Sequence, residues 1–520
     1  MQLLRLARRA FSTAAATPAG DAVTRECANQ VVSFHETLPH WIGGRKVFAP
    51  ASARRIAKRY PATGELLCHV PVADAATVDT AVVAAHVAQQ EWAAKSGAER
   101  GRILGRAASF LYEAHPELAR LEVLDTGKPL SEAEADVSGA DAMHMYAGLA
   151  STACVEGRHV PLGAAGFGYT RREPWGVCAG IGAWNYPNQI ALWKGSPALA
   201  CGNSFIFKPS ELTPMSAVKI AEVLDDAGLP PGLFNVVHGD HSTGTLLTTH
   251  KAVRKVSLTG SVGTGKKIMA AAAGTLKAVT LELGGKSPMI VFPDADVDNA
   301  VRGAMMANFY TMGEVCSNGT RVIVHRDIKD EFMRRLGEAT RRGVRMGDPF
   351  AKETNFGALI SAEHREKVLA HIARAISDGC RPVLDMSAST GADGGFFVGP
   401  VIFDRCPAGA AILAEEVFGP VMCVQEFVTE EEALALANDS DFGLAAAVFT
   451  QDITRAHRVA ASLDAGTTWI NEYNLAPSEL PFGGRKQSGI GKECGVEAIQ
   501  FFSQVKSVYV AAADVWSPFE

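Results

Sequence analysis

Residues 257–269 read SLTGSVGTGKKIM. An apolar run ends at Thr259, small residues and Gly260, Gly263 and Gly265 follow, and an amphipathic stretch begins at once. A strand passing into a helix through a Gly-rich turn is the repeating unit of a parallel, doubly wound sheet. A helix N-terminus lined by small residues also admits a pyrophosphate, whose charge meets free N–H groups and the positive end of the helix dipole. Tight turns between strand and helix want glycine whether or not they bind a ligand, so this stretch decides the fold unit but not the ligand.

The same alternation extends in both directions. Upstream lie GVCAGIGAW, WKGSPALACG, NSFIFKP, PMSAVKIAEVLDDAG and LFNVVHG between residues 176 and 239; downstream, AVTLELGG covers 278–285. Strand, helix, strand, helix, strand predicts a first α/β unit. A second series runs from Pro288 to about Gly484, with strands at SPMIVF, TRVIVH and MCVQEF and helices at DEFMRRLGEATRRG and ITRAHRVAASL. Ahead of both, residues 73–150 space apolar positions by three and four, predicting helices, one of which closes at Gly127 and Pro129. Residues 157–174 turn Gly-rich and alternating, which predicts a β excursion. The terminal AIQFFSQVKSVYVAAADV alternates like an edge strand able to pair with that excursion or with another subunit.

A chain of 520 residues exceeds one core, and 47% hydrophobic with 20% charged residues fits a multidomain α/β enzyme. The net charge of −6 offers no basic surface for nucleic acid, and no apolar stretch reaches the length of a membrane span. Partners are expected to be small molecules or further copies of the chain. Ten scattered cysteines without a C-x-x-C pair predict a reducing compartment and no metal site. Residues 1–21 carry Arg5, Arg8 and Arg9, no acid before Asp21, and Leu3, Leu4, Ala7 and Phe11 on one helical face. That is the composition of a mitochondrial transit peptide, with cytoplasmic residence as the alternative.

Five residues bear chemistry. Cys316, in FYTMGEVCSNGTRVIV, is either an inert buried thiol or a nucleophile. Glu282 lies inside the apolar run VTLELGG, where a buried carboxyl is either a backbone cap or a tuned acid or base. Asn185, between a strand and a helix, caps that helix or donates to an oxygen that gains charge. Lys208 and Glu211, in FKPSELTP, close a strand where a carboxylate would accept ribose hydroxyls and repel a 2′-phosphate, favouring NAD over NADP.

Together these motifs resemble the NAD(P)-dependent aldehyde dehydrogenases. LELGGKSP around Glu282 and FYTMGEVCSNGT around Cys316 are similar to the family's two signature segments. WNYP with Asn185, KPSE, the 260–265 turn, EEVFGP at 415–420 and PFGGRKQSG at 481–489 follow in the family's order, so the likeness spans about Ile42 to Val510. It implies Cys316 as nucleophile, Asn185 as oxyanion donor and Glu282 as the base that activates water. It implies an NAD site formed by Trp184, Lys208, Ser210, Glu211, Gly260, Ser261, Gly265, Glu416 and Phe418. Glu314 stands where the family usually has Gln. The segment from 167 to 203, with PPGLFNVVHG, ITRAHRV and GKECG, looks most like the branch acting on 4-trimethylaminobutyraldehyde and betaine aldehyde. A quaternary ammonium cannot hydrogen-bond and is met by aromatic faces, so Tyr146, Trp193, Tyr310 and Phe482 are the candidates for its tunnel, with Trp469 and Tyr473 as further ones.

The expected architecture is α/β and aldehyde dehydrogenase-like. A Rossmann-type cofactor domain takes 22–149 and 175–286, an α/β catalytic domain takes 287–485, and a small β oligomerisation element takes 150–174 and 486–520, giving a homodimer or homotetramer. Other readings are a dehydrogenase of broad aliphatic specificity, a CoA-acylating or cysteine-hydrolase enzyme, and an inactive structural member. Glu282 argues against the CoA-acylating reading, because such relatives usually lack that glutamate.

Overall fold

The computed structural model of the chain describes residues 22–27, 30–389, 391 and 394–519. The basic leader, residues 1–21, lies outside them. Two large sheets organise the rest. The first has eight strands in the order Gly489–Ile490, Ala278–Glu282, Val253–Thr259, Val177–Ile181, Ser204–Lys208, Phe234–Val236, His40–Trp41 and Lys46–Val47. The five from Ala278–Glu282 to Phe234–Val236 pair in parallel, and their near-continuous burial is what helices on both faces require. From Val177–Ile181 the chain first builds outward on one side through Ser204–Lys208 and Phe234–Val236. It then returns to add Val253–Thr259 and Ala278–Glu282 on the other. This reversal leaves a crevice beyond the carboxyl ends of the central strands, where open α/β sheets hold ligands.

The second sheet has seven strands, ordered Arg381–Asp385, Val401–Asp404, Val421–Phe427, Arg321–His325, Pro288–Val291, Ala445–Phe449 and Thr467–Ile470. Only the edge strand Arg381–Asp385 runs antiparallel to its neighbour. Phe332, Leu336, Val368 and Ile372, from the helices Arg326–Gly343 and Ala362–Ser377, pack into its core. The β excursion is a separate three-stranded sheet, with Gly166–Pro174 at its centre between His159–Pro161 and Ser503–Ala511.

One expected boundary moves. Residues 486–502 do not join the excursion: Arg485–Lys486 pairs with Phe442–Gly443, and Gly489–Ile490 pairs with Ala278–Glu282. The short helix Ile499–Phe502 buries Ile499 and Phe502 in the first unit's core, apolar surface that a thin projecting ribbon could not cover. The chain enters the excursion only at Ser503. Residues 350, 358 and 397 likewise share a core with Phe34, Tyr60 and Leu121, so the second unit reaches back under the first.

Candidate active site

Each central strand delivers a functional group at its carboxyl end. After Val177–Ile181 come Trp184 and Asn185; after Val253–Thr259, the turn Gly260-Ser261; at the end of Ala278–Glu282, Glu282 itself. With Leu283, Gly284, Cys316, His364, Glu416 and Phe418 these line a cavity of about 190 Å³. A second cavity, of about 290 Å³, is lined by Asp136, Tyr186, Gln189, Trp193, Tyr310 and Phe482 among others, and also by Cys316. Among the described residues Cys316 is the one residue common to both linings, so its thiol stands where two ligands arriving from opposite sides would meet.

Burial pushes the Cys316 thiol up to about 12, with the carboxyls of Glu416 and Glu282 adding to the effect; the backbone N–H groups of Cys316 and Ser317 oppose it. Asn185 is buried, its Nδ2 donates to the Glu314 carbonyl at 3.0 Å, and the second N–H of that amide remains for another acceptor. Glu282 is buried with neither carboxyl oxygen hydrogen-bonded to a described residue. Desolvation, then Glu493, raises it well above the ordinary carboxylate range, against the pull of Lys194 and Lys492. A buried carboxyl without a protein partner beside a cavity can take a hydrogen bond from a water.

The other wall of the first cavity is built for a flat ring and a sugar. Glu416 Oε1 accepts from the Gly285 N–H at 3.1 Å, and burial raises this carboxyl to about 7. A Cβ on Gly284 would lie 1.9 Å from Glu416 Oε2, so only glycine lets the carboxyl sit there. Phe418, at φ +56, meets Trp184 edge-on at 5.0 Å, and its carbonyl accepts from His364 Nε2 at 2.7 Å. Desolvation lowers His364, which keeps that imidazole neutral. Ser261 caps the helix Val262–Ala273, and a Cβ on Gly263 would meet nothing within 4 Å, so the first turn is open to an anion. These features fit a dinucleotide. Lys208, Ser210 and Glu211 lie at the same sheet edge but outside this cavity. Lys208 Nζ donates to the Pro209 carbonyl at 2.9 Å and lies 3.5 Å from Glu211 Oε2. Gly265 is also outside: a Cβ there would come within 2.8 Å of Leu283, so it serves close packing of helix on strand.

On the other side, Trp193 and Phe482 meet at 5.7 Å and, with Tyr310 and Tyr186, line the second cavity. Tyr146 does not line it. It is fully buried and its hydroxyl donates to the Gly495 carbonyl at 2.8 Å, because it falls on the core face of the helix Ser138–Leu149. Trp469 and Tyr473 also stand behind the wall: Trp469 Nε1 donates to the Leu475 carbonyl and the Tyr473 hydroxyl to the Ser317 carbonyl. His364, Asp136, Tyr186 and Gln189 were not singled out in the sequence. Only Tyr186, inside the quoted WNYP, carried a usable signal.

A family model, the aldehyde dehydrogenase family, matches residues 48–508. The chain belongs to the aldehyde dehydrogenase family. It is 52% identical over 483 residues to a betaine aldehyde dehydrogenase of Rhizobium etli, covering 92% of this chain and 98% of that protein. The betaine aldehyde dehydrogenase of Brucella ovis matches equally, 52% over 484 residues. Among solved aldehyde dehydrogenase-like structures, PnpE in complex with nicotinamide adenine dinucleotide aligns with a TM-score of 0.89 at 39% identity, over 93% of this chain and 99% of that one. A betaine aldehyde dehydrogenase from Staphylococcus aureus in complex with NAD+ also gives a TM-score of 0.89, at 36% identity and the same coverage.

Proposed function

We propose that this chain oxidises trimethylammonium aldehydes, betaine aldehyde and 4-trimethylaminobutyraldehyde among them, to the acid with NAD. The observation that carries the substrate class is the lining of the second cavity. The rings of Trp193, Tyr310, Tyr186 and Phe482 stand around a space also lined by Asp136, whose Oδ1 accepts from the N–H and hydroxyl of Ser138 while Oδ2 is buried with no hydrogen-bond partner among the described residues. Aromatic faces attract a cation that offers no hydrogen bond. The names of the relatives support the same reading.

Cys316, as thiolate, attacks the aldehyde carbon entering from this side. The oxygen that gains charge is held by the free N–H of Asn185 and the backbone N–H of Cys316, one such donor being worth on the order of 3 kcal/mol. Bound NAD would supply the acceptor for the hydride that leaves the substrate carbon held on Cys316. Glu416 would hold the nicotinamide ribose, Trp184 and Phe418 would flank the ring, and Lys208, Ser210 and Glu211 would hold the adenine end. The acyl group left on Cys316 as a thioester is released by water that Glu282 deprotonates, which frees the thiol for the next turnover.

NADH formation with 4-trimethylaminobutyraldehyde, betaine aldehyde and hexanal tests this, with Cys316→Ala as blank. The trimethylammonium aldehydes are expected to give the higher kcat/KM, and a preference for hexanal would remove the substrate claim. A broad aliphatic dehydrogenase is the second reading, and that outcome would favour it. The basic leader, free of acids before Asp21, supports delivery to a mitochondrial matrix, to be tested by comparing the location of the full chain with one lacking residues 1–21. The exposed Phe167, Tyr169 and Val510 of the three-stranded sheet support a homodimer or homotetramer.

A further inference from the structure

Between the helix Val297–Phe309 and Cys316 the chain adopts a conformation that its residues disfavour. Thr311 and Met312 sit at φ +48 and +51, the left-handed region, which is uncommon for any side chain and most of all for a β-branched one. Something must hold them there, and the holder comes from a different part of the fold. Glu132, on the short helix Leu130–Ala135, is buried and directs both carboxyl oxygens at one residue: Oε2 accepts from the Thr311 N–H at 3.2 Å, and Oε1 accepts from the Thr311 hydroxyl. The Thr311 oxygen also lies 2.6 Å from the hydroxyl of Tyr186, the neighbour of Asn185. Below that ring the Lys128 ammonium lies 3.9 Å from its centroid and pairs with Glu122 at 2.6 Å, while Glu122 in turn accepts from Asn188 Nδ2 at 2.6 Å.

Beyond Thr311 the chain has no freedom to absorb a shift. The Glu314 N–H donates to the Thr311 carbonyl at 2.8 Å, and Gly313, at φ +78, leaves no room for a Cβ, which would lie 2.3 Å from the Gly419 carbonyl oxygen. The Glu314 carbonyl is the acceptor of the Asn185 amide. Thr311 is therefore tied at once to the thiol segment and, through Tyr186 and Glu314, to the amide that faces it.

We propose that Glu132 is a positioning residue for the aldehyde oxidation: by clamping Thr311 it holds the left-handed turn that aims the Cys316 thiol and the Asn185 amide at the same point. This rests on the reading of Cys316 as nucleophile. Glu132 is itself part of neither cavity lining, so its effect is on alignment and not on ligand contacts.

Steady-state kinetics of Glu132→Ala, Glu132→Gln, Tyr186→Phe and the Glu132→Ala/Tyr186→Phe double variant test the clamp. Misplacement of a reacting group by about 1 Å costs on the order of 100-fold, so Glu132→Ala is expected to lose roughly 10- to 100-fold in kcat. KM for NAD should stay within about twofold, and Glu132→Gln, which keeps an acceptor for the Thr311 N–H, should recover most of the rate. Because both side chains act through Thr311, the double variant should lose little more than Glu132→Ala alone. A folded Glu132→Ala enzyme with kcat within twofold of the parent, or losses that multiply in the double variant, would overturn the proposal. If Glu132→Ala does not fold, Thr311→Val, which removes the hydroxyl at constant shape, carries the test: a loss of at least threefold in kcat supports the clamp and an unchanged kcat overturns it. Cys316→Ser separates the two layers. Activity surviving in Cys316→Ser would sink the nucleophile reading, whereas an inactive Cys316→Ser beside an unimpaired Glu132→Ala would sink the clamp alone.

Discussion

At the scale of single residues, two buried acids set the pH behaviour. The Cys316 thiol is pushed to about 12 by burial and by Glu416 and Glu282, so without cofactor it is protonated at neutral pH. A nicotinamide cation in the cavity that Cys316 shares with both glutamates would favour the thiolate, and the thiol stays reachable from the second cavity. Alkylation of Cys316 by iodoacetamide at pH 7.5, followed by mass spectrometry, is therefore expected to accelerate when NAD is added; an unchanged or slower rate would contradict this electrostatic coupling. Glu416 gives a stability test with the opposite sign to an ordinary paired carboxylate. Its folded-state value is raised to about 7, so the stability linked to its neutral form is full below the ordinary carboxylate value and is lost as pH rises through about 7. Glu416→Gln keeps an acceptor for Gly285 and buries no charge. It should melt higher than the parent at pH 8, with the gap closing towards pH 5 in thermal scans. Cys316, Glu282 and Asn185 were legible because each stood in a motif of the family. Which aromatic ring faces the aldehyde was not, since Tyr146 and Trp193 share apolar helical spacing and only packing tells a core ring from a lining one.

At the scale of elements, the turn at 260–265 was readable as strand, glycine, helix, yet its glycines do different things. Gly260 lines the cavity and Gly265 lets the helix Val262–Ala273 approach Leu283. A Cβ at 265 would meet both Leu283 methyls at 2.8 Å, and Leu283 itself lines the cofactor cavity. Gly265→Ala should thus cost roughly 1–3 kcal/mol in urea unfolding and raise KM for NAD while leaving KM for the aldehyde unchanged. An unaltered KM for NAD would show that Leu283 relaxes away from the cavity. The strands left unread, such as Val401–Asp404 and Ala445–Phe449, are short apolar runs without alternation, because both faces of a parallel strand are buried. Runs of that kind cannot be told from buried helix by period alone. The clamp on Thr311 was equally hidden, since positive φ at a threonine leaves no mark in composition and its holder lies 179 residues away.

At the scale of the whole molecule, the alternation around residues 257–269 and between 288 and 484 carried the two α/β units, and the excursion with its terminal partner carried the third sheet. The boundary at 486 was misplaced because hydrophobic alternation does not reveal which unit receives it. On the third sheet the pairs Tyr169–Val508 and Phe167–Val510 lie opposite one another and therefore share a face, with Pro161 beside Phe167 on the same side. Phe167, Tyr169 and Val510 are each more than a third exposed in the single chain. A row of apolar side chains on a thin sheet calls for a partner surface, and the proposed homo-oligomer supplies one. Light scattering coupled to size exclusion should give at least twice the mass of one chain for the parent, and a mass near one chain for Tyr169→Asp/Val510→Asp. Both substitutions lie in the projecting sheet, away from either cavity lining, so circular dichroism should remain that of the parent. A parent that elutes as a single chain, or a double variant that keeps the parent's mass, would mean that this face does not hold the copies together.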